Sequence, residues 1–170
     1  ELSNEKDIIG ITGTHGKTST TALVSHIFQF NNKNVSFIYG GVSSFGYLGG
    51  HCGEDNLPLI LETDEAFNTF KNINIKDLIV TNIDNDHLDF YGSYENLIDA
   101  FIYVIKNVKG VKVLNYDDKN LCLINDKSTI SYSSTKNSDY KIQTPSSFEY
   151  KNKTYQVSTK LIGDLSLIHI

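Results

Sequence analysis

The chain has 170 residues, 39% of them hydrophobic and 21% charged, which is enough for one well-buried α/β domain and little more. Its formal net charge is −5 and all fifteen basic residues are lysines, with no stripe that would make a nucleic-acid footprint. No window approaches the roughly 18 apolar residues of a membrane helix, no secretory leader is evident, and Cys52 and Cys122 are too few for a disulfide framework, so a reducing cytoplasm is the expected setting.

In chain order, residues 7–12 read as a buried strand that runs into a glycine-containing turn. Residues 18–31 read as a helix with Ala22, Leu23, His26, Ile27 and Phe30 on its apolar side. A second strand covers 35–39, and the glycine-rich stretch 40–53 is expected to be a mobile loop. A third strand, 57–61, ends at Glu62, and a fourth, 77–83, ends at Asp84. Residues 94–108 form a helical pattern whose apolar face is Leu97, Ile98, Phe101, Ile102 and Ile105; a strand at 111–114 and a short helix at 117–123 follow. Apolar strands alternating with helices predict an α/β fold, a parallel sheet flanked by helices on both faces. From 128 to 162 the pattern changes to short strands at 129–132, 140–143, 148–150 and 155–159, the last two a hairpin around Lys151-Asn152-Lys153. These predict a small antiparallel β extension on the edge of the sheet.

The strongest chemical signal is Gly13-Thr14-His15-Gly16-Lys17-Thr18-Ser19. A strand, a glycine turn, Lys-Thr and a helix start, in that order, cradle phosphates. The turn's N–H groups and the helix N-terminus attract anionic oxygens, Lys17 supplies a point charge, and Thr18 offers a hydroxyl to Mg²⁺. The strict phosphate loop carries glycine where Ile11 stands, so this is the shorter G-x-x-G-K-T form.

If the sheet is parallel, the phosphate turn, Gly40-Gly41, Glu62 and Asp84 converge on one edge, where such sheets bind ligands. Glu62, at a strand end facing the turn, suits a Mg²⁺ ligand. Asp64 and Glu65 have two readings, as further ligands or as caps and solvation for the next helix start. His87 stands among Asp84, Asp86 and Asp89, a cluster that reads either as a metal or phosphoryl site or as structure. His15 lies inside the turn and at least shapes it. His26, His51 and His169 have no evident partner, and neither a nucleophile elbow nor Cys-x-x-Cys spacing occurs.

Three ordered motifs make the pattern specific: GTHGKTSTT (13–21), ETDE (62–65) and TNIDNDHLDFYGSYENLIDAF (81–101). Together with Gly40-Gly41 and Asp117-Asp118, they resemble the Mur ligases of peptidoglycan synthesis, most closely the branch that joins L-alanine to UDP-N-acetylmuramate. The resemblance covers about 8–118. It implies ATP as cosubstrate, with Lys17 on its phosphates. It further implies Mg²⁺ held by Thr18 and Glu62, a second ion on His87, and His15 near the reacting groups. Branches that add later amino acids carry a modified lysine where this chain has Phe101, which favours alanine. The resemblance also implies that residues 1–170 are a piece of the central ATP-binding domain, truncated at both ends. The family's Gly-x-His-Asn is replaced by Gly163-Asp164-Leu165-Ser166. Two alternatives stay open: a nucleotide-binding fragment with no activity alone, and the related ligase that recycles a tripeptide.

Overall fold

The computed structural model describes residues 6–42 and 48–157. Among the described residues ten strands form one sheet, with a long helix packed on each face. In chain order these are β1 (Ile8–Thr12), α1 (Lys17–Phe30), β2 (Ser36–Val42), β3 (Leu48–His51), β4 (Leu59–Glu62) and β5 (Asp77–Val80). Then come the single turn α2 (Leu88–Tyr91), α3 (Tyr94–Asn107), β6 (Lys112–Asn115), β7 (Thr129–Ser133), β8 (Tyr140–Thr144), β9 (Ser147–Tyr150) and β10 (Lys153–Gln156). Short 3₁₀ turns occupy Ala66–Asn72 and Leu121–Leu123.

Across the sheet the order is β10-β9-β8-β7-β6-β5-β1-β4-β2-β3. β2, β4, β1, β5, β6, β7 and β8 run parallel, so their carboxyl ends share one edge. The strands alternate their apolar residues between two cores. Ile8, Leu59, Leu78 and Val80 face α3, which contributes Leu97, Phe101, Val104 and Ile105. Ile11, Ile60 and Phe37 face the other way, toward Ala22, Val24 and Phe28 of α1.

Several expectations are corrected. The stretch 40–53 is not simply a loop: β2 continues to Val42 and β3 pairs back on it antiparallel, Phe37 opposite His51, with residues 43–47 outside the described set. The helix face is rotated. Ile27 is 52% and Phe30 79% exposed, whereas Thr21 and Ser25 are buried against the sheet. Small hydroxyl residues tolerate that position because each donates to the carbonyl four residues earlier, Thr21 to Lys17 and Ser25 to Thr21, both at 2.8 Å. The β extension is antiparallel only where β9 meets β8 and β10; β7 and β8 join in parallel. Residues 158–170, with the Gly163 stretch and the end of the fourth extension strand, lie outside the described residues.

Candidate functional site

The phosphate turn leaves β1 and enters α1 through two glycines at positive φ. Gly13 has φ 133°, and a Cβ there would fall 2.1 Å from Thr81 Oγ1. Gly16 has φ 84° at the start of α1, in the left-handed region. Thr20 N–H is the donor that reaches back to Gly16 O, at 3.0 Å. The amides of Lys17, Thr18 and Ser19 therefore precede the helical ladder, as the orphan donors of a helix start. Ser19 itself is exposed on the first turn.

A second segment, after β5, clasps the turn. Thr14 N–H donates to Asn82 O at 3.1 Å. His15 N–H donates to Asn82 Oδ1 and Asn82 Nδ2 donates back to His15 O, both at 2.9 Å. Thr81 Oγ1 donates to His15 O at 2.6 Å, and Asp84 N–H to Thr14 Oγ1 at 2.9 Å. The clasp is held from behind: Asn115 Nδ2 donates to Thr81 O at 3.0 Å, Ile83 N–H to Asp118 Oδ2 at 2.8 Å, and Tyr94 Oη to Ile83 O at 2.9 Å.

Two polar groups face the turn. In the first, Thr18 Oγ1 donates to Glu62 Oε1 at 2.7 Å, while Glu62 Oε2 accepts Gly40 N–H at 2.9 Å. Three of the four expected strand ends thereby meet through hydrogen bonds, and the clasp brings in Asp84, the fourth. In the second, the Lys17 ammonium donates to Gly13 O at 2.8 Å, to Thr14 O at 3.3 Å and to the Glu65 carboxylate at 2.9 and 3.1 Å. Asp64 Oδ1 lies 4.0 Å away and also caps the following 3₁₀ turn, accepting Ala66 N–H at 3.1 Å.

Sequence reasoning left Asp64 and Glu65 undivided, and the structure separates them. Asp64 caps, whereas Glu65 is 1% exposed and pairs with Lys17. Burial pushes the Glu65 carboxyl up, and the Lys17 hydrogen bond pulls it partly back. Tyr91 donates its hydroxyl to the Glu65 carbonyl; burial, then the Glu65 charge, push that phenol up to about 12, so it stays a donor.

His87 pairs with Glu65 rather than with Glu62. Its Nε2 lies 3.6 Å from Glu65 Oε1 and 4.0 Å from Asp86 Oδ2, on a backbone held at φ 53°. Asp64, Glu65 and His87 each bring one ligand atom within 4.8 Å of the others. His15 points outward, with Nε2 3.6 Å from Asp84 Oδ2 and its side chain 54% exposed. Phe101 is fully buried, edge-on to Phe70 at 5.2 Å between ring centroids. Thr81, Asn82 and Asp118 went unassigned in sequence as parts of the site. Thr81 and Asn82 stand in the polar run before His87, and Asp118 in the Asp117-Asp118 pair, but neither pattern says that these residues hold the turn.

Residues 11–168 match the Mur ligase middle domain. The UDP-N-acetylmuramate–L-alanine ligase of Borreliella burgdorferi is 39% identical over 151 residues, which are 84% of this chain and 32% of that protein. The corresponding ligase of Hydrogenobaculum sp. is 37% identical over 120 residues, 69% of this chain and 26% of its own. Among solved structures, the UDP-N-acetylmuramate–alanine ligase of Thermotoga maritima superposes with a TM-score of 0.79 at 27% identity, covering 98% of this chain and 41% of that one. A Thermotoga maritima ligase solved in complex with ADP shares the fold, with a TM-score of 0.72 at 20% identity over 99% of this chain and 44% of its own. The chain thus spans about a third of the length of its curated relatives. No helix among the described residues is long and apolar enough to cross a membrane.

Proposed function

The chain belongs to the Mur ligase family, and from that membership we propose that its phosphate turn serves the ATP-dependent joining of L-alanine to the carboxylate of UDP-N-acetylmuramate in the cytoplasm. In this reading residues 1–170 lie in the central ATP-binding domain of such a ligase, with 128–162 as its β extension. The observation that carries the proposal is the Thr18–Glu62 contact at 2.7 Å beside the Lys17 ammonium, at the edge where the parallel strands end. A hydroxyl and a carboxylate side by side are the hard oxygen donors that suit Mg²⁺. When bound, the ion offsets charge on phosphate oxygens. His87 offers a nitrogen beside Glu65 and Asp64 for a second ion.

The rest of the chemistry belongs to the chain's own groups. Gly13, Thr14, His15, Gly16, Lys17, Thr18 and Ser19 form the turn that receives the phosphates: the amides of Lys17, Thr18 and Ser19 are the donors at the helix start, while those of Thr14 and His15 hold the turn's shape through Asn82. Lys17 stabilises the negative charge that shifts onto the β–γ bridging oxygen as the muramyl carboxylate attacks the γ-phosphorus and ADP leaves. The acyl phosphate so formed is attacked at its carbonyl by the alanine amine. Phosphate departs, and the amine loses a proton. His15, exposed at the mouth of the turn, stands near the reacting groups. Substrate positioning accounts for much of the rate in such a reaction, and this chain alone is expected to bind nucleotide without forming the amide.

Titration of the chain with ADP and Mg²⁺ in a calorimeter tests the proposal. Lys17→Ala removes a charged hydrogen bond to phosphate, so affinity should fall by about tenfold to a hundredfold. Binding that survives the substitution unchanged would overturn the assignment of the turn.

A further inference from the structure

An ammonium has three N–H donors, and those of Lys17 are all engaged within the protein. Gly13 O takes one at 2.8 Å, Thr14 O one at 3.3 Å, and the Glu65 carboxylate the third, at 2.9 and 3.1 Å to its two oxygens. A phosphate oxygen entering the turn therefore competes with Glu65 for this ammonium. Glu65 is 1% exposed, so it is not simply released to water when Lys17 turns away. A buried carboxylate stripped of its cation is costly. Besides its own backbone N–H, Glu65 keeps among the described residues only His87, at 3.6 Å, and Asp64, whose carboxylate adds negative charge beside it. The site thus asks for a replacement cation at the moment the nucleotide binds.

We propose that Glu65 parks the Lys17 ammonium in the empty turn, and that nucleotide binding is a counter-ion exchange in which phosphate takes Lys17 and a divalent cation takes its place beside Glu65. The proposal rests on the reading of the turn as a nucleotide-phosphate site. It gives Glu65, rather than Glu62, the task of coupling cation to nucleotide. Coupling between two ligands is reciprocal and commonly amounts to roughly 5- to 150-fold in affinity. Neutralising Glu65 removes both the competitor for Lys17 and the charge that calls for a cation.

Glu65→Gln tests this with two readouts. The first needs no nucleotide. The Lys17 amine is labelled by trinitrobenzenesulfonate in the ligand-free chain and followed by peptide mass spectrometry; labelling is expected several-fold faster in the variant. The second is ADP affinity by calorimetry, in EDTA and in Mg²⁺. In EDTA the variant should bind on the order of tenfold tighter than wild type, and the gain on adding Mg²⁺ should shrink correspondingly. ADP binding in EDTA that is no tighter in Glu65→Gln, with wild type still binding Mg²⁺-ADP, would overturn the exchange and leave the nucleotide reading intact. Faster labelling with no ADP bound by either chain would instead overturn the nucleotide reading, and the exchange with it. Glu65→Asp, which keeps the charge but withdraws it by one methylene, should shift both readouts part of the way. It decides the matter if the Gln variant does not fold.

Discussion

Asp117, just beyond β6, gathers the last residue of β7 and the two that follow it. It accepts from Ser133 Oγ, from Ser134 N–H and Oγ, and from Thr135 N–H and Oγ1, all at or below 3.1 Å. Burial raises its carboxyl, but the donors from Ser133, Thr135 and Ser134 outweigh burial and hold it well below the usual carboxylate range. A carboxyl depressed in the folded state contributes stability above its unfolded pKa of about 3.9 and loses it as pH falls toward the folded value. Asp117→Asn should therefore cost about 1 kcal/mol at neutral pH, a modest figure because the site is solvated. Urea titrations should show the gap between wild type and variant narrowing from about pH 4 downward. A gap independent of pH would mean that shape, not charge, holds the turn. Side chains such as this explain what sequence could and could not convey. Lys17, Thr18 and Glu62 were legible because their chemistry follows from strand, turn and helix in order. Asp64 and Glu65 were not separable, since adjacent acids differ only in which one folding buries against a lysine 48 positions away.

At the scale of elements, α3 was legible in its bounds and in Leu97, Phe101 and Ile105, although Ala100 and Val104 are buried where the expected face had the half-buried Ile98 and Ile102; Ser93 marks its start by accepting Asn96 N–H at 3.2 Å. α1 was found in the right place but turned, because the rule that apolar residues face inward misses Thr21 and Ser25 with their internally satisfied hydroxyls. β3 was hidden by its glycines, and only pairing with β2 makes Leu48–His51 a strand. The position of Phe101 on α3 makes a definite prediction. It is fully buried, edge-on to Phe70, in the apolar core that also holds Ile83 and Tyr91. Phe101→Ala should cost about 3–5 kcal/mol by cavity formation. Denaturant unfolding measures that loss, and a cost below about 1 kcal/mol would place the ring outside the core.

Across the whole molecule, the site and the β extension are unequal partners. The turn, Glu62 and the clasp extend from β1, β4 and β5 at the centre of the sheet. β8, β9 and β10 lie beyond β7, and every residue of β10 is exposed. A ligand at the turn bonds to the central strand ends, so its binding free energy should stabilise those strands first. At a hundredfold excess over Kd, binding adds about 2.7 kcal/mol to the folded state. For a chain of this size that corresponds to a rise of about 5–10 °C in melting temperature. Mg²⁺-ADP should produce that shift in wild type and, at the same concentration, about half of it or less in Lys17→Ala, whose Kd is tenfold to a hundredfold higher. Hydrogen exchange should locate it: amides of β1, β4 and β5 gain protection, while those of β9 and β10 exchange as before, through local opening at the sheet edge. Equal gains in β10 and β1 would instead make the sheet one cooperative unit, with the extension carrying part of the energy of nucleotide binding.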